Sequence, residues 1–315
     1  MPLKLLFILL AIAVLHPWVS APLALAVGIV FSLILGNPFS NESRKLTPKL
    51  LSYSIIGLGA GMNLIVVGRV GLNGILYTAV GIVSTLLLGL WLGSRFSISK
   101  GASTLISCGT AICGGSAIAA VAPVIRAKPE EVSISLAVVF VLNAIALLIF
   151  PMIGHSLNLT QVQFGLWSAL SIHDTSSVVG ASMQFGKQAL EVGTTVKLAR
   201  ALWIIPVTLF FAYRMKRVQD DSSAINKPTK KPWFILGFLA MAALMTWIPT
   251  LQPYGQMIEW IARRLLILTL FLIGAGLNAQ SLKAMGHRTL LQALLLWFIT
   301  ASVSLLCIQQ HWIQL

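Results

Sequence analysis

Apolar runs of roughly 17–25 residues follow one another along almost the whole chain, separated by short stretches that hold the charged residues and much of the Pro and Gly. Splitting at those breaks gives eleven segments, at 3–17, 19–36, 50–68, 74–94, 101–125, 132–151, 164–184, 191–213, 233–250, 259–280 and 289–310. Runs of this length match a hydrocarbon core of ~30 Å at the rise of an α-helix. They do not alternate with a period of two, and a backbone in lipid must bond internally, so helices are expected rather than barrel strands. The reading is an all-α polytopic membrane protein of about 11 transmembrane helices. It forms one transmembrane domain over residues 1–315, because the longest polar stretch, Lys216 to Lys231, is too short to bury a core.

The first segment has two readings. Lys4, the run Leu5 to Leu15 and the small residues Val19-Ser20-Ala21 resemble a signal peptide. A retained first helix ending at His16-Pro17 is favoured, because another apolar run follows at once.

Composition agrees with a chain solvated by lipid: 57% of the residues are hydrophobic and 10% are charged, against about 25% in soluble domains. The net charge of +14 invites a nucleic-acid reading. The basic residues lie between apolar runs without a basic aromatic patch, so no nucleic-acid partner is expected. With the N-terminus inside and all eleven segments threaded, the cytoplasmic ends collect Lys4, Arg44, Lys45, Lys49, Arg95, Lys100, the cluster from Arg214 to Lys231, Lys283 and Arg288. The outer loops keep Arg69, Arg126, Lys128 and Lys187. That asymmetry obeys the positive-inside rule and places Leu315 outside; it also requires segment 101–125 to cross. Cys108, Cys113 and Cys307 form no C-x-x-C pair, so neither a disulfide framework nor a metal site is indicated, and no cofactor is expected.

Two segments carry chemistry. Segment 101–125 centres on Cys108-Gly109-Thr110-Ala111-Ile112-Cys113-Gly114-Gly115-Ser116, poor in strong helix formers and with a natural break at Gly114-Gly115. A broken helix exposes backbone groups that are tolerated at membrane depth only against protein or a cavity, and half-helix N-termini attract anions. The bland alternative is that the small residues permit a tight crossing. Segment 164–184 places His173 and Asp174 near its middle, followed by Thr175, Ser176 and Ser177. An Asp at such depth costs roughly 2.5–3.5 kcal/mol on insertion scales and faces a bundle interior or cavity. Aligned on Thr110 and Thr175, the two segments share Thr, a Gly five residues on and small residues beyond, which suggests matching discontinuous helices in an inverted-repeat transporter. A structural His–Asp contact between helices is the alternative.

Lys197 and Arg200 lie three apart, on one helix face and about a third of the way into their segment. They either snorkel to the outer interface, or attract an anion or balance Asp174. A second echo relates Gly59–Leu64, GAGMNL, to Gly274–Ala279, GAGLNA, making Asn63 and Asn278 related polar positions at helix ends or breaks. The echoes fall in opposite order around the broken segments, so no repeat boundaries follow from them. Gly57/Gly61 and Gly89/Gly93 have small-xxx-small spacing and are read as packing. Asn143 is either an interhelical bond or a site residue. Arg263 and Arg264 are read as interfacial, with Glu259 placed to pair with Arg263.

No phosphate loop, H-E-x-x-H or G-x-S-x-G is present, and the chain is not read as an enzyme. The runs GTAICGGSAIAAVAPVI and SIHDTSSVVGAS, with the following VKLAR-x₅-P, resemble the YeiH-like sulfate exporter family of bacterial inner-membrane proteins, over most of the chain. The resemblance implies eleven helices with two discontinuous helices crossing near the midplane, and a homodimer. It implies Gly109, Thr110, Cys113, Gly114, Ser116 and Ala117 in the first broken helix. It also implies His173, Asp174, Val178 and Gly180 in the second, and Lys197 and Arg200 on the next. Ala199 stands where many members carry Thr, which removes a hydroxyl contact there.

The expected function is therefore secondary transport of a small anion, sulfate or another sulfur oxyanion, coupled to a proton or sodium ion. Gly109, Thr110, Cys113, Gly114, Gly115, Ser116, Thr175, Ser176, Lys197 and Arg200 would bind it, with His173 and Asp174 carrying the coupling ion. The competing reading is a proton- or sodium-coupled organic-acid transporter or a cation/proton antiporter with Asp174 as the cation site.

Overall fold

The computed structural model describes residues 2–218, 233–277 and 286–313. The described residues are helical throughout, with no strand among them: α1 (Pro2–Ala13), α2 (Ala21–Leu35), α3 (Ser40–Leu58), α4 (Leu64–Arg95), α5 (Lys100–Ala111), α6 (Gly115–Val121), α7 (Pro129–Ser156), α8 (Gln161–Ser171), α9 (Thr175–Phe185), α10 (Lys187–Ala201), α11 (Ile204–Val218), α12 (Trp233–Trp247), α13 (Gln252–Ala275) and α14 (His287–Gln309). Every predicted segment falls on one of these helices or on a consecutive pair. Among the described residues, four stretches are each long and apolar enough to cross a membrane unaided: Gly74–Arg95, Pro129–Ser156, Lys187–Met215 and His287–Gln309. A fifth is available if the bent pair Ser40–Gly61 and Leu64–Leu72 counts as one span. The half-helices α5, α6, α8 and α9 run to 12, 7, 11 and 11 residues and are individually too short.

The segment predicted over 50–68 differs in shape. Its helix begins earlier, at Ser40, and the chain turns by 111° between Gly61 and Leu64. One local and one distant side chain close the turn: Asn63 accepts the Ile65 N–H at 2.8 Å, and Thr246 on α12 accepts the Leu64 N–H at 2.9 Å.

The helices pack as two groups. One consists of α1, α2, α3, α12 and α13; the other holds α4 to α11 and α14, and the two meet where α2 and α13 lie against α9, α2 against α7, and α12 against α4. In the first group, a Cβ on Gly28 would run into the Phe271 carbonyl, and one on Gly274 into the Leu25 carbonyl. Glycine at both positions thus lets α2 and α13 touch backbone to backbone. Phe7 of α1 joins them, edge-on to Phe31 at 5.4 Å and tilted on Phe271 at 5.3 Å. Gly57 of α3 lies against Ala262 of α13 in the same group, and in the second group Gly89 and Gly93 of α4 admit Ser107 and Ser103 of α5. The small-xxx-small spacings are packing devices, as read.

The GAG echo has a similar basis. Gly59 approaches the Phe238 carbonyl of α12, whereas Gly274 approaches α2. Each motif answers a local need for close backbone approach. Asn278 lies outside the described residues.

Candidate crossing of two broken helices

Both predicted breaks are present. In the first, α5 ends at Ala111, and Ile112, Cys113 and Gly114 turn the chain before α6 begins at Gly115. Gly114 adopts φ +67°, ψ −125°, a conformation that a side chain makes costly. In the second, α8 ends at Ser171, and Ile172 and Asp174 are extended before α9 begins at Thr175. The breaks touch: a Cβ added to Gly114 would lie 3.2 Å from the Asp174 Cβ.

The register of the internal echo is corrected by this geometry. Ala111 and Ser171 end the first half-helices, and Gly115 and Thr175 begin the second, at one constant spacing. Pairing Thr110 with Thr175 is five residues out of that register, because Thr110 precedes its break and Thr175 follows the other. Gly114 and Asp174 are the N-cap positions of the two second half-helices. The two breaks are made differently, one by a left-handed glycine and the other by a capping carboxylate.

Asp174 is the N-cap of α9. Its Oδ1 accepts the Ser177 N–H at 2.5 Å and the Ser176 hydroxyl at 2.9 Å, and its Oδ2 accepts the Ser177 hydroxyl at 3.1 Å. The carboxylate occupies the positive end of that half-helix, where an anion would otherwise be attracted. Behind it, Asn143 of α7 uses Oδ1 to accept the N–H groups of His173, at 3.0 Å, and Asp174, at 3.3 Å. Asn143 is thus an interhelical bond that satisfies two backbone donors freed by the break.

Lys197 and Arg200 do the converse job for the carbonyls. Neither snorkels: they are 0% and 2% exposed. Lys197 Nζ donates to the Ile172 carbonyl at 2.7 Å and to Ala169 at 3.4 Å. Arg200 Nε donates to Ala111 at 2.6 Å and Nη2 to Thr110 at 3.2 Å; Nη1 donates to Ala169 at 3.0 Å and Leu170 at 2.5 Å. One guanidinium thereby ties the C-terminal end of α5 to that of α8. A helix leaves its last four carbonyls without an internal partner and its C-terminus partly negative, so buried cations are well placed there. The i,i+3 spacing does bring both side chains to one place, since they share the Ala169 carbonyl. Neither makes an ion pair with Asp174: among the described residues, the ion pair present is Arg263 with Glu259, as their spacing predicts. Arg264 donates to the His16 and Val19 carbonyls after α1.

The remaining predicted residues surround the same point. Thr110 is 2% exposed, and its hydroxyl has no partner. Cys113 is buried, with its thiol against the Ala117 N–H and the Ser116 hydroxyl, whereas Ser116 itself is exposed. Gly109 lets Ile118 of α6 fold back over α5, and Gly115 faces Phe140 of α7. Thr175, Ser176, Ala117 and Val178 are buried, and Gly180 faces Leu147 and Leu270. Asn63 stands apart. It lines a pocket of about 360 Å³ with Lys187, Thr246, Gln256 and Glu259, which shares no residue with either break.

A family model described as conserved hypothetical protein 698 matches residues 3–293. The chain belongs to that family. It is the YeiH-like family to which the three motifs pointed. Among its relatives, the UPF0324 membrane protein of Bdellovibrio bacteriovorus is 58% identical over 310 residues, covering 98% of this chain and 95% of that protein. A UPF0324 membrane protein of Geobacter sulfurreducens is 44% identical over 296 residues, covering 94% and 93%. One from Bacteroides thetaiotaomicron is 46% identical over 283 residues, covering 90% and 84%. No solved structure matches the chain. The chain is a membrane protein of this family, and its helices meet at two adjacent, polar, buried breaks.

Sequence reasoning left one part of this centre unassigned. Trp297 of α14 stacks on Phe150 with ring centroids 5.8 Å apart, and its ring lies edge-on to His173 at 6.5 Å. Nothing in an apolar run marks one tryptophan as central.

Proposed function

We propose that this membrane protein is a secondary transporter that exports or exchanges a small anion, sulfate or another sulfur oxyanion, through the crossing of its two broken helices. The observation that carries the reading is a charge imbalance. Lys197 and Arg200 are buried side by side without a carboxylate partner, and Asp174 is the one acidic residue at the breaks. With Lys197 protonated, the centre holds one positive charge more than it balances when Asp174 is ionised, and two more when Asp174 is protonated. Buried charge without compensation is strongly unfavourable, so an entering anion has a place in this electrostatic balance.

The cations attract mainly through their field. Four of Arg200's five N–H groups and two of Lys197's three already bind carbonyls, leaving one donor on each. Protonation of Asp174 strengthens anion binding, and a bound anion favours protonation, which is reciprocal coupling between proton and substrate. His173 stands beside Asp174 as tuner or relay.

In this proposal the chain crosses the bacterial inner membrane eleven times, with the N-terminus cytoplasmic and Leu315 outside. The broken helices are counterpart elements of an inverted-repeat transporter crossing near the bilayer centre, and the protein works as a homodimer. Purified protein in liposomes tests the activity: uptake of ³⁵S-sulfate should be saturable and should respond to an imposed pH gradient. Failure to move sulfate, sulfite or thiosulfate, in either direction and with either gradient, overturns it.

A further inference from the structure

This inference rests on the anion-transport reading and names the groups that would hold the anion. Around the second break lie buried polar atoms that bond to nothing in the protein. They are both ring nitrogens of His173, the Asn143 Nδ2 and the Trp297 Nε1. His173, Asn143 and Trp297 are 1%, 2% and 8% exposed, so bulk solvent does not satisfy them. Polar groups this deeply buried find partners in the great majority of cases, and each orphan calls for a water, an ion or a ligand.

Their chemistry leans toward donors. Trp297 offers an indole N–H, which can only donate. The Asn143 amide has a fixed orientation, because its oxygen accepts the His173 and Asp174 N–H groups, so two donor hydrogens remain on its nitrogen. Lys197 and Arg200 keep one N–H each. On the other side of the account, the Asp174 carboxylate is already engaged by Ser176 and Ser177. His173 offers a donor and an acceptor when neutral, and two donors when protonated. The region has more unused donors than acceptors, and a ligand made of acceptor oxygens complements it.

These orphans also come from three elements. Asn143 belongs to α7, His173 to the break between α8 and α9, and Trp297 to α14, with the Trp297 and His173 rings 6.5 Å apart. We propose that Asn143, His173 and Trp297 form the direct oxyanion-binding face of the crossing, with Lys197 and Arg200 serving as its electrostatic support rather than as its principal ligands. The substrate class is a tetrahedral or pyramidal oxyanion, whose oxygens accept several N–H groups from different sides.

The test is equilibrium binding of ³⁵S-sulfate to the purified full-length protein in detergent, with thermal unfolding of each variant as the folding control. W297F keeps the ring stacked on Phe150 and deletes only the N–H. Asn143→Asp keeps oxygens for the His173 and Asp174 amides but replaces the donor with an acceptor. W297F should bind sulfate about 10-fold more weakly and Asn143→Asp about 100-fold more weakly, the loss expected when donors to a charged group are removed. If Asn143→Asp does not fold, W297F decides the matter alone. Unchanged sulfate affinity in folded W297F overturns this face while leaving the transport reading intact. Absence of sulfate, sulfite and thiosulfate binding by the wild type overturns the anion reading, and this face with it.

Discussion

The chain interrupts its helices in two kinds of place, and they are stabilised by different means. At the 111° bend between Gly61 and Leu64, two neutral side chains close the gap: the exposed Asn63 caps the helix that it begins, and Thr246 of α12 accepts the Leu64 N–H. At the crossing, the backbone groups freed by the breaks are met by side chains from distant helices, Asn143 from α7 and Lys197 and Arg200 from α10, all of them buried. The bend is a neutral solution that leaves nothing charged in the interior. The crossing places two cations and a carboxylate there, at a cost that packing alone does not require.

That contrast can be broken most directly at Arg200. Arg200→Met removes donors from four carbonyls and unties α5 from α8, and it should destabilise the protein by about 3–5 kcal/mol, read as a large fall in thermal midpoint in detergent. If the variant melts like wild type, the carbonyl clamp is not what holds the crossing. Lys197→Met loses a smaller clamp and should cost about 1–3 kcal/mol by the same measurement.

Gly114→Ala comes next, because φ +67° is unfavourable for a side chain and the added Cβ meets Asp174. A loss of about 1–2 kcal/mol is expected, and a wild-type midpoint would show that the break tolerates a side chain. Asp174→Asn separates structure from coupling, since Asn caps a helix about as well as Asp. Its thermal midpoint should stay close to that of wild type, while the pH-gradient dependence of uptake in liposomes is lost. Retained dependence would move the proton site elsewhere. The smallest effect belongs to the bend: Asn63→Ala should cost about 1 kcal/mol and leave sulfate uptake unchanged. Loss of transport in that variant would show that the bend shares in the function after all.

Much of this architecture was legible beforehand. The apolar runs announce helices because lipid leaves the backbone no other partner, and the breaks at Gly114 and beside Asp174 announce themselves through residues that a continuous apolar helix avoids. The convergence of Lys197 and Arg200 also follows from their spacing. Their partners do not. A cation in an apolar run can snorkel, pair with a carboxylate, bind an anion or cap a carbonyl, and the side chain looks the same in each case. Snorkelling is excluded by burial, and pairing with Asp174 by the absence of an ion pair, both of which depend on where α5 and α8 end relative to α10.

The same reason explains the misaligned echo and the unremarked tryptophan. Thr110 and Thr175 look alike in sequence, yet only the positions of the helix ends show that Thr110 precedes its break while Thr175 follows the other. Trp297 is one apolar-run residue among many until α14 is laid beside α7 and the second break. The sequence by itself determined a helical membrane protein, the location of two breaks and the identity of the charges near them, because each depends on local composition and the solvent of the chain. Tertiary structure alone decided which backbone group each charge satisfies and which polar atoms are left over, because those depend on contacts between residues far apart along the chain.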